Sequence, residues 1–284
     1  MASETISIDY DDLKELGKTG AKIPAIGLGT WGIGGSFHPD YSRDEYWVKI
    51  IRKGIELGMW LIDTAEMYAR GHAEELVGRA IKAFDRDNVF IITKVWPDNL
   101  SYEKVIKAAE KSLARLDTSY IDLYLIHWPT PSMPLKEIMK AFEFLVEKGL
   151  VRYIGVSNFD AKLLDEARSY LSKTDIVANE VKYSIADRTI ERDLLPYAQK
   201  ERITIIAYSP LEKGRLAKDR ILAQIGRKYN KSAAQVALNW LISKHNVIAI
   251  PKAGTESHLK ENAEAMGWRL SLEDLRYLDE KYPV

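Results

Sequence analysis

Eight short apolar runs rich in β-forming residues alternate with longer stretches of helical period, and this alternation restricts the fold more than any other feature. The runs occupy residues 25–29, 60–63, 89–94, 121–127, 153–157, 176–179, 203–208 and 247–250. Between them, residues 43–57, 73–84, 102–116, 135–148, 161–171 and 189–200 carry apolar side chains at spacings of three and four. In the stretch from residue 102, Val105, Ala108, Ala109, Ser112, Leu113 and Leu116 fall on one stripe. A helix between consecutive strands returns the chain to the start of the next one, so the strands pair in parallel. Eight such units imply closure into a barrel. The expected fold is therefore α/β, a (β/α)8 TIM barrel forming a single domain over residues 1–284. Residues 1 to about 22 should cap one end, since 17–20 break two short β-like pieces. A doubly wound open sheet is the runner-up. It needs a G-x-G-x-x-G turn, and the nearest candidate, GTWGIGG at 29–35, lacks that spacing.

Composition narrows the function. Lys plus Arg and Asp plus Glu both total 41, so no basic excess points to a nucleic-acid partner. Cysteine is absent, which excludes disulfides, thiolate nucleophiles and cysteine-bound metal centres. Its absence agrees with a reducing cytoplasm and with a thermostable protein that avoids oxidisable residues. Residues 1–12 are polar and acidic, unlike a secretory signal, and no apolar run approaches the roughly 18 residues of a membrane span. A cytoplasmic monomer with neither membrane nor nucleic-acid partner is expected.

In barrels of this kind chemistry gathers at the C-terminal ends of the strands. Those positions hold Trp31 after the first run, Asp63 and Tyr68 after the second, and Lys94 at the end of the third. His127 and Trp128 end the fourth, Ser157 and Asn158 follow the fifth, and Glu180 and Tyr183 follow the sixth. Tyr208 and Ser209 end the seventh, and Pro251 and Lys252 follow the eighth. Taken singly each has an ordinary explanation: a core histidine, a snorkelling lysine, a capping aspartate, a packed tyrosine. The second, third and fourth strand ends are neighbours, however, so Asp63, Tyr68, Lys94 and His127 can meet in one pocket. Together they suit carbonyl reduction by hydride. Tyr68 would donate a proton to the carbonyl oxygen, and Lys94, held by Asp63, would lower the phenol pKa. His127 would orient the carbonyl by a hydrogen bond or relay a proton. No metal is required. A Ser–His–Asp set or a paired carboxylate for hydrolysis is not evident.

These residues sit in segments, GLGTWGIG, LIDTAEMYARGHAEELVGRAI, TKVW, SYIDLYLIHWP, VRYIGVSNF, ANEVKYS, AYSPL and IPKA, that resemble the aldo-keto reductase superfamily over essentially the whole chain. The resemblance implies an NAD(P)H-dependent aldo-keto reductase or alcohol dehydrogenase, using NADP(H) and/or NAD(H) on a small carbonyl or alcohol substrate. It implies a catalytic set of Asp63, Tyr68, Lys94 and His127 with Tyr68 as general acid. Ser157, Asn158 and Glu180 would hold the nicotinamide carboxamide, and Tyr208 would stack on the ring. Gly29, Thr30 and Trp31 would border the cofactor, with Ser209 and Leu211 along the pyrophosphate. Lys252, Thr255, His258, Glu261 and Asn262 would hold the adenosine end. Trp31, Trp96 and Trp128, with Tyr68 and His127, would line the substrate pocket.

Three departures from the family pattern carry expectations. Position 180 is Glu where most members have Gln. Ionised, it would favour the positively charged oxidised cofactor; protonated, or neutralised by Lys182 or Lys94, it would not. Position 258 is His where NADPH-preferring members have Arg, implying a relaxed choice of cofactor. The loop 129–134 is short and the last helical run lies close to Val284, implying an open, permissive pocket. A non-catalytic relative is disfavoured because the catalytic set is complete. The direction of reaction, reduction or alcohol oxidation, stays open.

Overall fold

The computed structural model describes residues 12–284. Strands β1 (Leu13–Glu15) and β2 (Lys22–Pro24) form an antiparallel hairpin. Leu16 and Ile23 of this hairpin pack with Leu61, Phe90, Ile92 and Leu123, and Gly17 N–H donates to Thr204 Oγ1 at 2.9 Å. The hairpin thus packs on the N-terminal end of the barrel; residues 1–11 of the expected cap lie outside the described residues.

The barrel strands are β3 (Leu28–Gly29), β4 (Leu61–Asp63), β5 (Phe90–Val95), β6 (Ile121–Ile126), β7 (Val151–Ser157), β8 (Ile176–Lys182), β9 (Thr204–Tyr208) and β10 (Val247–Ala249). They pair in chain order, all parallel. The seam between first and last closes through Gly27 N–H to Ala249 O at 2.9 Å and Gly29 N–H to Pro251 O at 3.2 Å. Glycine is needed at both positions. A Cβ at Gly27 would lie 2.5 Å from Leu61 Cδ2, and one at Gly29 would lie 2.8 Å from the Ile250 carbonyl.

Helices α1 (Asp44–Glu56), α2 (His72–Ile81), α3 (Tyr102–Leu116), α4 (Leu135–Glu147), α5 (Ala161–Ser169), α6 (Leu194–Glu201), α7 (Arg220–Tyr229), α8 (Ala233–Ile242), α9 (Glu256–Ala263) and α10 (Leu272–Lys281) complete the connections. Most element bounds differ from the periodicity by a few residues, and two of the differences matter more. The stretch 189–200 is not one helix: a 3-10 turn at Thr189–Glu191 precedes α6. Pro196 lacks the N–H for Arg192, and its ring would meet that carbonyl in a continuous helix. Strand β8 runs to Lys182 rather than 179, so Glu180 lies within the sheet and not beyond it.

Side chains alternate across each strand. Ile91 and Val95 of β5 face the helices, whereas Phe90 and Ile92 belong to the apolar cluster that also holds Leu123, Leu125, Ile206 and Ile248. That cluster fills the barrel from β4 to β10. The next position of the same parity on each strand forms the layer above it.

Candidate active site

Continuing that parity past Leu61, Ile92, Leu125, Gly155, Ala178 and Ile206 gives Asp63, Lys94, His127, Ser157, Glu180 and Tyr208. These six crown the apolar filling. Each strand thus delivers its polar residue to the mouth through its two-residue repeat.

Lys94 is fully buried. Its ammonium is ion-paired with Asp63, donates to Thr64 O at 3.0 Å, and lies 3.3 Å from Glu180 Oε2. Desolvation alone would strip its proton, but the two carboxyl groups outweigh burial and hold the ammonium above its ordinary pKa. One cation cannot balance two buried carboxylates. Asp63, raised by burial against the pull of Lys94, keeps the tight ion pair. Glu180 is farther away; burial, followed by repulsion from Asp63, pushes its carboxyl well above the usual range. The protonated form is thus favoured at Glu180, whose Oε2 keeps only the longer contact with Lys94. Lys182 does not neutralise it, being engaged with Asp187 at 2.9 Å and Glu212 at 3.4 Å.

Tyr68 follows β4 in a 3-10 turn, with its ring centroid 5.3 Å from the Lys94 ammonium. Ala69, Arg70 and Gly71 have φ of 47°, 55° and 94°. This left-handed run turns the chain sharply so that α2 can begin at His72, and Ala69 N–H anchors it to Ser36 O at 2.7 Å. The expected lowering of the phenol pKa is corrected here. Burial, the larger effect, outweighs Lys94 and holds Tyr68 above its ordinary value. Tyr68 therefore keeps its proton throughout the neutral range.

His127 is pushed down to about 3, by burial first and then by the Lys94 charge, so its ring is neutral. Its Nδ1 has no partner among the described residues. The ring meets Tyr68 edge-on at 5.7 Å and Trp96 at 5.1 Å. Beside it, Asn158 adopts φ of 62° and donates to His127 O at 3.2 Å and to Ser157 Oγ at 2.9 Å. Ser157 Oγ donates to Glu180 O at 2.9 Å, and Tyr208 OH donates to Asn158 Oδ1 at 3.0 Å. Ser157, Asn158, Glu180 and Tyr208 thus form one linked polar shelf.

Aromatic side chains wall the other side. Trp31 meets Tyr68 edge-on at 5.1 Å and, with Trp128, is about two-fifths exposed. Phe37 packs on Trp31 at 5.3 Å and is more exposed still. A cluster of large exposed aromatics at a barrel mouth marks a ligand surface. Phe37 and Glu66 were not read from the sequence. Glu66 Oε1 accepts from the backbone N–H of Trp96 at 2.6 Å and from Asn99 Nδ2 at 2.9 Å, which ties the chain after β5 to the loop after β4. No periodic pattern distinguishes such loop residues.

The remaining positions separate. Gly29 and Lys252 bridge at the seam. Thr30 is buried, and its hydroxyl donates to Asp63 O at 2.9 Å, so it supports the site from beneath. Ser209, at φ 53°, and half-buried Leu211 lead into a basic surface hollow lined by Lys213, Arg215, Lys218 and Arg220. On α9, Thr255 accepts from His258 N–H at 3.2 Å, His258 is exposed, Glu261 is half-buried and Asn262 is almost wholly covered. Tyr183 and Pro251, also at strand ends, are buried. No helix among the described residues is long and apolar enough to cross a membrane.

Residues 25–283 match the model of the Aldo/keto reductase family. Methylglyoxal reductase YeaE of Escherichia coli (strain K12) is 43% identical over 267 residues, covering 92% of both chains. The crystal structure of a thermostable aldo-keto reductase in complex with epalrestat superposes with a TM-score of 0.91 at 51% identity, covering 94% of this chain and 98% of that one. An aldo/keto reductase from Klebsiella pneumoniae in complex with NADP and acetate gives 0.86 at 39% identity, covering 96% of each.

Proposed function

This chain belongs to the aldo/keto reductase family, and we propose that it reduces small α-oxoaldehydes of the methylglyoxal class with NADPH, Tyr68 acting as the general acid. Carbonyl reduction with NAD(P)H is the activity of this family, and the bound cofactor supplies the hydride. The residues present fit such a cofactor: the shelf of Ser157, Asn158 and buried Glu180 offers hydrogen-bond donors and acceptors beside the half-exposed Tyr208 ring. Ser157, Asn158 and Glu180 would hold its carboxamide, and Tyr208 its ring.

The observation that carries the reading is the meeting of Tyr68, Lys94, Asp63 and His127 in one buried cluster. As negative charge develops on the carbonyl oxygen, the Tyr68 O–H transfers its proton there. The phenolate left behind is stabilised by the Lys94 ammonium, which Asp63 keeps charged. His127, neutral with an unpartnered ring nitrogen, orients the carbonyl. Exposed Trp31, Trp128 and Phe37 give an apolar, unroofed mouth. An aldehyde activated by an adjacent carbonyl suits that mouth, because its reactivity does not depend on a closely fitted pocket. We further read residues 1–284 as one domain, monomeric and cytoplasmic, which sizing of the purified protein and fractionation of cells would check.

The test is NADPH oxidation by wild type and Tyr68→Phe with methylglyoxal, phenylglyoxal and simple aldehydes. Loss of about 10²–10⁴ in kcat with unchanged NADPH affinity is expected. A variant keeping more than about a tenth of the wild-type rate would overturn the assignment.

A further inference from the structure

We infer that Arg43 pairs with Lys252 to hold the 2′-phosphate of NADPH, making Arg43 a specificity-determining residue for the cofactor; this rests on the reading above. Both cations converge on one buried indole. The Arg43 guanidinium lies 5.1 Å from the Trp47 ring centroid and the Lys252 ammonium 5.5 Å from it. Arg43 immediately precedes α1, whereas Lys252 follows β10 at the seam, so sequence distance hides their meeting.

Their relative position is fixed by two cross-links. Tyr46 OH donates to Gly254 O at 2.8 Å, and Lys49 pairs with Glu256 at 2.7 Å. The same contacts occupy the neighbouring acids. Glu256 is taken by Lys49, and Asp44 and Glu45 by Arg79, with Asp44 also on His72. Asp40 accepts from Ser42 and feels Arg43 only at longer range. Neither Arg43 nor Lys252 has an ion-pair partner among the described residues. Burial, and then the like charge of Arg43, disfavours the Lys252 ammonium. A phosphate dianion between the two cations would relieve both effects.

Arginine offers a planar fork matched to phosphate oxygens, and lysine a point charge. His258 on α9 is exposed, and with Arg43 beside Lys252 it need not supply the second cation. On this inference the wild type prefers NADPH, against the expectation of a relaxed choice, because a second cation enters at the start of α1.

Affinities of NADPH and NADH for wild type, Arg43→Met and Lys252→Met, measured by fluorescence titration at two salt concentrations, test the pair. Arg43→Met keeps the stem on the aromatic rings and removes the charge. We expect its NADPH Kd to rise by about tenfold to a hundredfold, with NADH changed less than about twofold and the salt dependence of NADPH binding reduced. In competition, 2′,5′-ADP should lose affinity in the variant while 5′-AMP does not. Equal weakening of both cofactors would overturn the assignment, placing Arg43 on the adenine or the pyrophosphate. No change in either would overturn it as well. Wild type binding neither cofactor would instead overturn the reading on which the pair rests.

Discussion

At the scale of the residue, a single proton decides what Glu180 does. Asp63 holds the tight ion pair with Lys94, so burial and the Asp63 charge favour a protonated carboxyl at Glu180, which would then act electrically as a glutamine. An ionised group there would act on the oxidised nicotinamide by up to roughly 3 kcal/mol at about 5 Å, a hundredfold in affinity. Glu180→Gln should accordingly leave the ratio of NADP⁺ to NADPH dissociation constants within about threefold at pH 7. A tenfold fall in relative NADP⁺ affinity would show that the carboxylate is ionised after all. His127 carries a second consequence. Its folded pKa of about 3 lies below the 6.5 of a free imidazole, so below pH 6.5 the unfolded chain takes up a proton that the native ring refuses. Stability falls as pH drops, by on the order of 2 kcal/mol between pH 6.5 and 4.5. Urea denaturation of His127→Gln beside wild type should show a pH slope flatter by that amount. Equal slopes would contradict it.

At the scale of the element, the barrel rests on strands with a strict two-residue repeat and on a seam made by backbone alone. The repeat explains why strand ends were informative: Asp63, Lys94 and His127 continue the inward parity of Leu61, Ile92 and Leu125. The seam is more demanding. A methyl group at Gly29 would press 2.8 Å from the Ile250 carbonyl, with no flexible side chain to yield. Gly29→Ala should cost about 1–3 kcal/mol, read as a lowered melting temperature, and should weaken cofactor binding by displacing Lys252 across the bridge. Wild-type stability in this variant would mean that the seam can open without loss. Element boundaries were less legible where one residue countermands a periodic pattern, as Pro196 does in the stretch 189–200.

At the scale of the whole molecule, the C-terminal helix is fastened to the strand-end loops by one buried guanidinium. Arg188 donates to Tyr282 O at 2.7 Å and Asp279 O at 3.2 Å, and pairs with Glu191 at 2.7 Å. Glu191 also accepts from Tyr183 OH at 2.5 Å. Removing one partner of a buried network leaves the others unsatisfied, so Arg188→Ala should cost about 3 kcal/mol or more. For a chain of this size that lowers the melting temperature by on the order of 10 °C, measurable by circular dichroism. A shift within about 2 °C would make the network dispensable. Carbonyl reduction should survive at low temperature, since none of these groups touches the mouth.

The sequence by itself determined the barrel, the order of its units and which four residues, Asp63, Tyr68, Lys94 and His127, would meet at its mouth. Hydrophobic period and strand-end position are local signals, legible without knowing what packs where. Only the tertiary structure decided the charges those residues carry. Burial reversed the expected shift of Tyr68, neutralised His127 and favoured the protonated form of Glu180, because desolvation depends on every neighbour at once. The same holds for Phe37, Glu66 and Arg43. Phe37 and Glu66 stand outside the periodic segments that made strands and helices legible, and Arg43 begins one without belonging to its apolar positions; Glu66 and Arg43 meet partners distant in sequence that only the fold brings near.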